Sequence, residues 1–111
     1  MIYSVDEIRK RVTPVAKKYS LPAVYLFGSY ARGEATERSD VDILIDRAGS
    51  TIHGRGLFGM AAVYNDLREA LGKELDLVTV AALEQDKDSR SSRMFSEKVK
   101  RERVSLYCEG L

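Results

Sequence analysis

Apolar residues recur at spacings of three and four over Val5, Ile8, Val12, Val15 and Tyr19, which predicts an amphipathic helix. Ser4 and Glu7 fit a capping box that starts it near Val5. Thr13-Pro14 reads as an N-cap followed by a first-turn proline, so a kink or restart is expected there. Pro22 ends the segment, and Ala23 to Phe27 is an apolar run suited to a buried strand. Gly28-Ser29 then turns a corner into a short helix, and a polar turn leads to a second strand that finishes at Asp46 and carries Asp40 and Asp42 at its start. Arg47 to Gly56 reads as a mobile, glycine-containing loop. Leu57, Met60, Tyr64, Leu67 and Leu71 share one face of a third helix stopped by Gly72. Leu75 to Val80 is a strand opened by Asp76, Glu84 to Ser92 a polar loop, Met94 to Lys100 a short helix, and Val104 to Tyr107 a last strand.

These elements predict an α/β (α+β) fold in one domain spanning 1–111: a small mixed sheet of about four strands, helices mainly on one face, and an open face near Gly28 and Asp40. Val24, Leu26, Ile43, Leu44, Ile45, Leu67, Leu71, Leu75 and Leu77 are expected to supply much of the core, each worth about 1.5–3 kcal/mol when buried. Composition adds mainly exclusions. Eighteen basic against seventeen acidic residues leave a net charge of +1, which gives no global pull toward nucleic acid. One cysteine, Cys108, allows neither a disulfide framework nor a cysteine metal cluster. No apolar run reaches membrane-spanning length, and the charged start lacks a signal segment, so a cytoplasmic location is expected.

The chemistry lies in three acids. Side chains alternate across a strand, so Asp40 and Asp42 point to one face, and Asp76 joins them if the third strand lies beside the second. Clustered carboxylates repel one another unless a cation neutralises them, which makes Mg²⁺ the expected cofactor, with two ions possible. Gly28 permits close backbone approach, and the Ser29 hydroxyl can donate to phosphate oxygens. Asp76 is the candidate to take the proton of an acceptor hydroxyl.

Gly28-Ser29, ten residues, then Asp40-x-Asp42 resembles the G-S-x10-D-x-D signature of the nucleotidyltransferase superfamily that includes DNA polymerase β. The fuller string GSYARGEATERSDVDILID, with ELDLVTV and KRERVSLYCEG, resembles the minimal nucleotidyltransferases of bacteria and archaea, many of them antitoxins paired with a HEPN-domain ribonuclease toxin. The resemblance covers most of the chain. It implies Mg²⁺-dependent transfer of AMP from ATP, in the antitoxin branch onto a tyrosine of that toxin. It also implies Gly28 and Ser29 as phosphate-binding, and Asp40, Asp42 and Asp76 as metal-binding and catalytic. No C-terminal substrate domain of the kind larger relatives use is expected.

Each feature has a structural alternative. Asp40 after Ser39 fits turn chemistry, Asp42 a solvent-facing strand position, and Asp76 a lone edge-strand acid. Arg32 either ends the short helix, with Gly33 as its cap, or faces nucleotide phosphates. Gly54-x-Gly56-x-x-Gly59 matches a dinucleotide-binding pattern but does not directly follow a strand, and His53 has no ligand partner at suitable spacing. The run Lys98, Lys100, Arg101, Arg103 reads as a solvated face, with contact to an acidic partner or RNA as the alternative. At the level of function, a protein adenylyltransferase competes with a non-catalytic antitoxin that acts by binding its toxin, and with an aminoglycoside-type small-molecule transferase.

Overall fold

The computed structural model describes residues 2–50, 52, 55–85 and 90–109. Helix α1 (Val5–Lys18) starts as expected, the Ser4 hydroxyl accepting from the Glu7 amide at 3.1 Å. It does not restart at Thr13-Pro14. Pro14 sits inside one continuous helix, and the Thr13 hydroxyl donates to the Arg9 carbonyl at 2.7 Å. Ile8 and Val12 before the proline and Val15 and Ala16 after it are all buried on the same face, and this packing outweighs the missing amide.

Strand β1 (Ala23–Phe27) leads into the five-residue α2 (Gly28–Arg32), then β2 (Val41–Asp46), α3 (Gly56–Leu71), β3 (Leu75–Thr79), α4 (Val80–Gln85), α5 (Arg90–Glu102) and β4 (Val104–Cys108). The four strands form one mixed sheet in the order β3-β2-β1-β4. β1 is antiparallel to β2 and β4, whereas β2 and β3 run parallel, α3 lying between them in the chain.

Strand alternation sorts the sheet into two faces. Val24, Leu26, Val41, Ile43 and Ile45 pack with Ile8 and Val12 of α1 and Val63, Leu67 and Leu71 of α3 in the main core. Of the expected core residues, Leu77 is only partly buried, and Leu44 is fully buried on the opposite face, in a smaller cluster with Phe27 and Val99. That face is therefore partly roofed by α5.

The segment expected as a loop over Glu84 to Ser92 is helical wherever it is described. Gln85 closes α4 and Arg90 opens α5, longer at its N-terminal end than the predicted Met94 to Lys100. The Thr79 hydroxyl accepts from the Ala82 amide at 3.0 Å and caps α4, a role hidden in the sequence because a β-branched residue at that position reads as strand. Within the Arg47 to Gly56 loop, Ser50 and Ile52 are buried, and Ser50 donates to the Tyr19 carbonyl, so the loop is anchored at its middle. His53 and Gly54 lie outside the described residues; Gly56 and Gly59 belong to the first turn of α3. Among the described residues no helix is long and apolar enough to cross a membrane.

Candidate active site

The parallel β2–β3 register pairs Asp42 with Asp76 directly, and the antiparallel β1–β2 register sets Phe27 opposite Asp42. The strand end that turns at Gly28 therefore lies against two carboxylates from separate strands. Asp42 is half-buried, and the Asp76 side chain is within hydrogen-bonding reach of it. Burial, the hydrogen bond with Asp76, and the charges of Asp76 and Asp40 push the Asp42 carboxyl up to about 6, while the Arg32 charge pulls it down. Asp40 stands one residue before the strand and is exposed. Its charge is felt at Asp42, but the structure does not bring it into the Asp42–Asp76 pair. Among the described residues no three Asp, Glu, His or Cys side chains form a ready metal cage.

Gly28 closes the site from the β1 side. Its φ of +73° is in the left-handed region, and a Cβ there would intrude on Asp42 Oδ2. Only glycine lets the chain turn while the acid keeps its place. Gly28→Ala is expected to cost about 1–2 kcal/mol in backbone strain alone and to displace Asp42, with activity lost well beyond the stability change. Thermal unfolding and turnover measured on one preparation check this.

These residues open into a cleft of about 830 Å³, large enough for a nucleotide. Its floor is Phe27, Gly28, Ser29, Asp42 and Asp76. Its opposite wall is α5, which presents Phe95, Lys98, Arg101 and Glu102. All four residues of the basic run are exposed, as a solvated face requires; Lys98 and Arg101 among them also line the cleft and have no ion-pair partner among the described residues, while Arg103 lies over the Tyr25 ring, 4.3 Å from its centre. Arg32 has the structural part expected of it and a place in the cleft besides. It ends α2 before Gly33, whose φ is +75°, and it lines the cleft, paired through Nε with Glu34 at 3.0 Å and through Nη1 with Glu102 at 3.1 Å.

The donor set suits a hard divalent cation. Mg²⁺ is commonly held by one or two carboxylates together with substrate phosphates rather than by an all-protein cage, and Asp42 with Asp76 supplies that arrangement. Burial first, and the neighbouring acids after it, disfavour an ionised Asp42, a cost that a bound cation would offset. In the protein kept metal-free with chelator, the sign of the pH effect follows from that shift. The folded state favours neutral Asp42, so its ionisation destabilises the fold fully above about pH 6, and the cost disappears as pH falls through 6 toward 4. Asp42→Asn is expected to stabilise the metal-free protein at pH 7.5 by about 1 kcal/mol, allowing for solvent screening at a half-buried site, and to give no gain at pH 4. Urea titrations at the two pH values measure the difference.

A sequence profile described as the nucleotidyltransferase domain matches residues 8–104. A Methanocaldococcus jannaschii protein named, by inference, a protein adenylyltransferase is 36% identical over 76 residues, 68% of this chain and 77% of its own length. A second protein of that organism, named in the same way, is 36% identical over 78 residues, 70% of this chain and 76% of its own. Among solved structures, a minimal nucleotidyltransferase, also so named by inference, superposes with a TM-score of 0.67 at 28% identity, over 92% of this chain and 95% of that one. A toxin–antitoxin crystallised with AMP-PNP superposes with a TM-score of 0.66 over 92% of this chain and 74% of that one. Its 21% identity speaks to the fold alone.

Proposed function

Since this chain belongs to the nucleotidyltransferase domain family, we propose that it moves AMP from ATP onto a hydroxyl of another protein, a tyrosine of a partner HEPN toxin, and acts as the antitoxin of that pair. The observation that carries the reading is the direct pairing of Asp42 and Asp76 across parallel strands beside the Gly28-Ser29 corner, inside a nucleotide-sized cleft. The protein adenylyltransferase names of its relatives support a protein acceptor, and the fold shared with a toxin–antitoxin crystallised with AMP-PNP is in keeping with a toxin partner and a nucleotide.

Asp42 and Asp76 would hold Mg²⁺, with Asp40, exposed one residue before β2, adding its charge nearby. The cation, when bound, offsets the carboxylate charge and polarises the phosphoryl oxygens. Gly28 and Ser29 receive phosphate oxygens through the backbone and the hydroxyl, while Arg32, Lys98 and Arg101 balance the remaining triphosphate charge from the α2 and α5 sides. The acceptor oxygen attacks the α-phosphorus, its bond to the β-phosphate oxygen breaks, and pyrophosphate leaves. Asp76, exposed at the cleft, takes the acceptor proton. The products are the AMP ester of the acceptor and pyrophosphate.

ATP labelled at the α-phosphate is expected to label the partner in the presence of Mg²⁺. ATP labelled at the γ-phosphate is expected to leave it unlabelled. Absence of α-label on a partner that still binds the chain overturns catalysis. It leaves neutralisation by binding alone, a reading favoured by exposed Met94 and Phe95 at the cleft.

A further inference from the structure

Arg32 does not face the cleft as a free cation. Its Nε is occupied by Glu34, a mostly exposed side chain, and its Nη1 by Glu102, whose side chain is only 27% exposed. The two pairs differ in what they join. Glu34 follows Arg32 directly around the Gly33 turn, whereas Glu102 reaches it from α5, seventy residues along the chain. The Arg32–Glu102 bond therefore ties the floor of the cleft to its roof, between α2 and α5, and both residues line the cleft. Lys98 and Arg101 on the same helix have no such partner among the described residues. Among the described residues, one of three cleft cations is thus already held by a carboxylate.

The geometry points to Glu102 as a positioning residue that sets nucleotide affinity by competing with phosphate for Arg32. Resting on the nucleotide reading above, it assigns a residue which that reading leaves without a role. A guanidinium fork holds carboxylate and phosphate by the same parallel hydrogen bonds, so the two anions exclude each other at one edge of the fork. A triphosphate seated at Gly28-Ser29 takes Arg32 from Glu102 and releases the tie between α2 and α5. When nucleotide leaves, Glu102 recovers Arg32 and the tie closes again. Nucleotide binding and the position of the α5 wall are then two readings of one exchange.

Calorimetry with α,β-methylene ATP and Mg²⁺ tests this on four chains: the natural sequence, Glu102→Gln, Arg32→Gln and the double variant. Glu102→Gln keeps the side-chain shape and removes the competing charge; it is expected to bind roughly two- to fivefold tighter, the range of a partly exposed ion pair. Arg32→Gln is expected to bind more weakly, and in that background Glu102→Gln is expected to change nothing. Equal or weaker binding by Glu102→Gln overturns the inference while nucleotide binding by the natural chain stands. Tightening that persists without Arg32 also overturns it, because it marks a general charge effect. A natural chain that binds no analogue overturns the nucleotide reading and this inference with it. Should Glu102→Gln unfold, Glu102→Ala carries the same comparison.

Discussion

Asp42→Asn and Asp76→Asn are each expected to lower the turnover of AMP transfer by about 10²–10³-fold or more, the scale lost when one preorganised group at a developing charge is removed. The two side chains meet across a parallel strand pair whose register is fixed by the buried neighbours Val41, Ile43 and Leu75. An amide at either place keeps the shape and loses the charge that holds a cation. The loss is therefore expected in kcat, with the fold intact. For Asp42→Asn the metal-free protein becomes more stable as activity falls, which separates a damaged site from a damaged fold. Asp40→Asn is expected to raise the metal concentration needed for activity, because its charge reaches Asp42 from just before β2. Steady-state kinetics across a Mg²⁺ titration, with melting curves on the same samples, check all three. Near-natural turnover from Asp76→Asn would remove the carboxylate pair from the mechanism.

The second large effect is expected on binding. Lys98→Met combined with Arg101→Met should weaken the affinity for a non-hydrolysable ATP analogue roughly 10- to 100-fold, at about 1.5–3 kcal/mol for each hydrogen bond to a charged group, with the pair less than additive. Both side chains line the cleft from α5, and no acid among the described residues competes with phosphate for them. The affinity of the natural chain should also fall more steeply with salt than that of the variant. Calorimetry at two ionic strengths measures both effects. Unchanged affinity would mean that α5 only roofs the cleft.

The two halves of this site were not equally legible in the sequence. Asp42 and Asp76 each open an apolar run after a polar turn, and alternation within a strand then fixes the face they share, so their meeting needed only the correct neighbour for β3. Gly28 was legible for a related reason, because few residues other than glycine turn a strand end so tightly against an acid. The α5 wall was hidden. A basic helix has no apolar stripe to show which side turns inward, and here the buried seam among the described residues is Ser96 and Val99. Taken as the seam, those two residues put Phe95, Lys98 and Glu102, spaced by three and four, on one flank, and that flank faces the cleft. Asp40 shows the reverse limit. Alternation placed it with Asp42, but the strand begins at Val41 and imposes no direction on the residue before it. The uninterrupted α1 belongs to the same class, since the proline rule is local and the packing that overrode it is not.

The central claim is that Asp42 and Asp76 together hold a divalent cation against the phosphates of a bound nucleotide. Mn²⁺ in place of Mg²⁺ reports on this by electron paramagnetic resonance, because the free and bound ions give different spectra. Titrating Mn²⁺ into the protein with α,β-methylene ATP is expected to show a tight site that is lost in Asp42→Asn combined with Asp76→Asn. Equally tight Mn²⁺ binding by that double variant, beyond what the nucleotide alone retains, would contradict the claim.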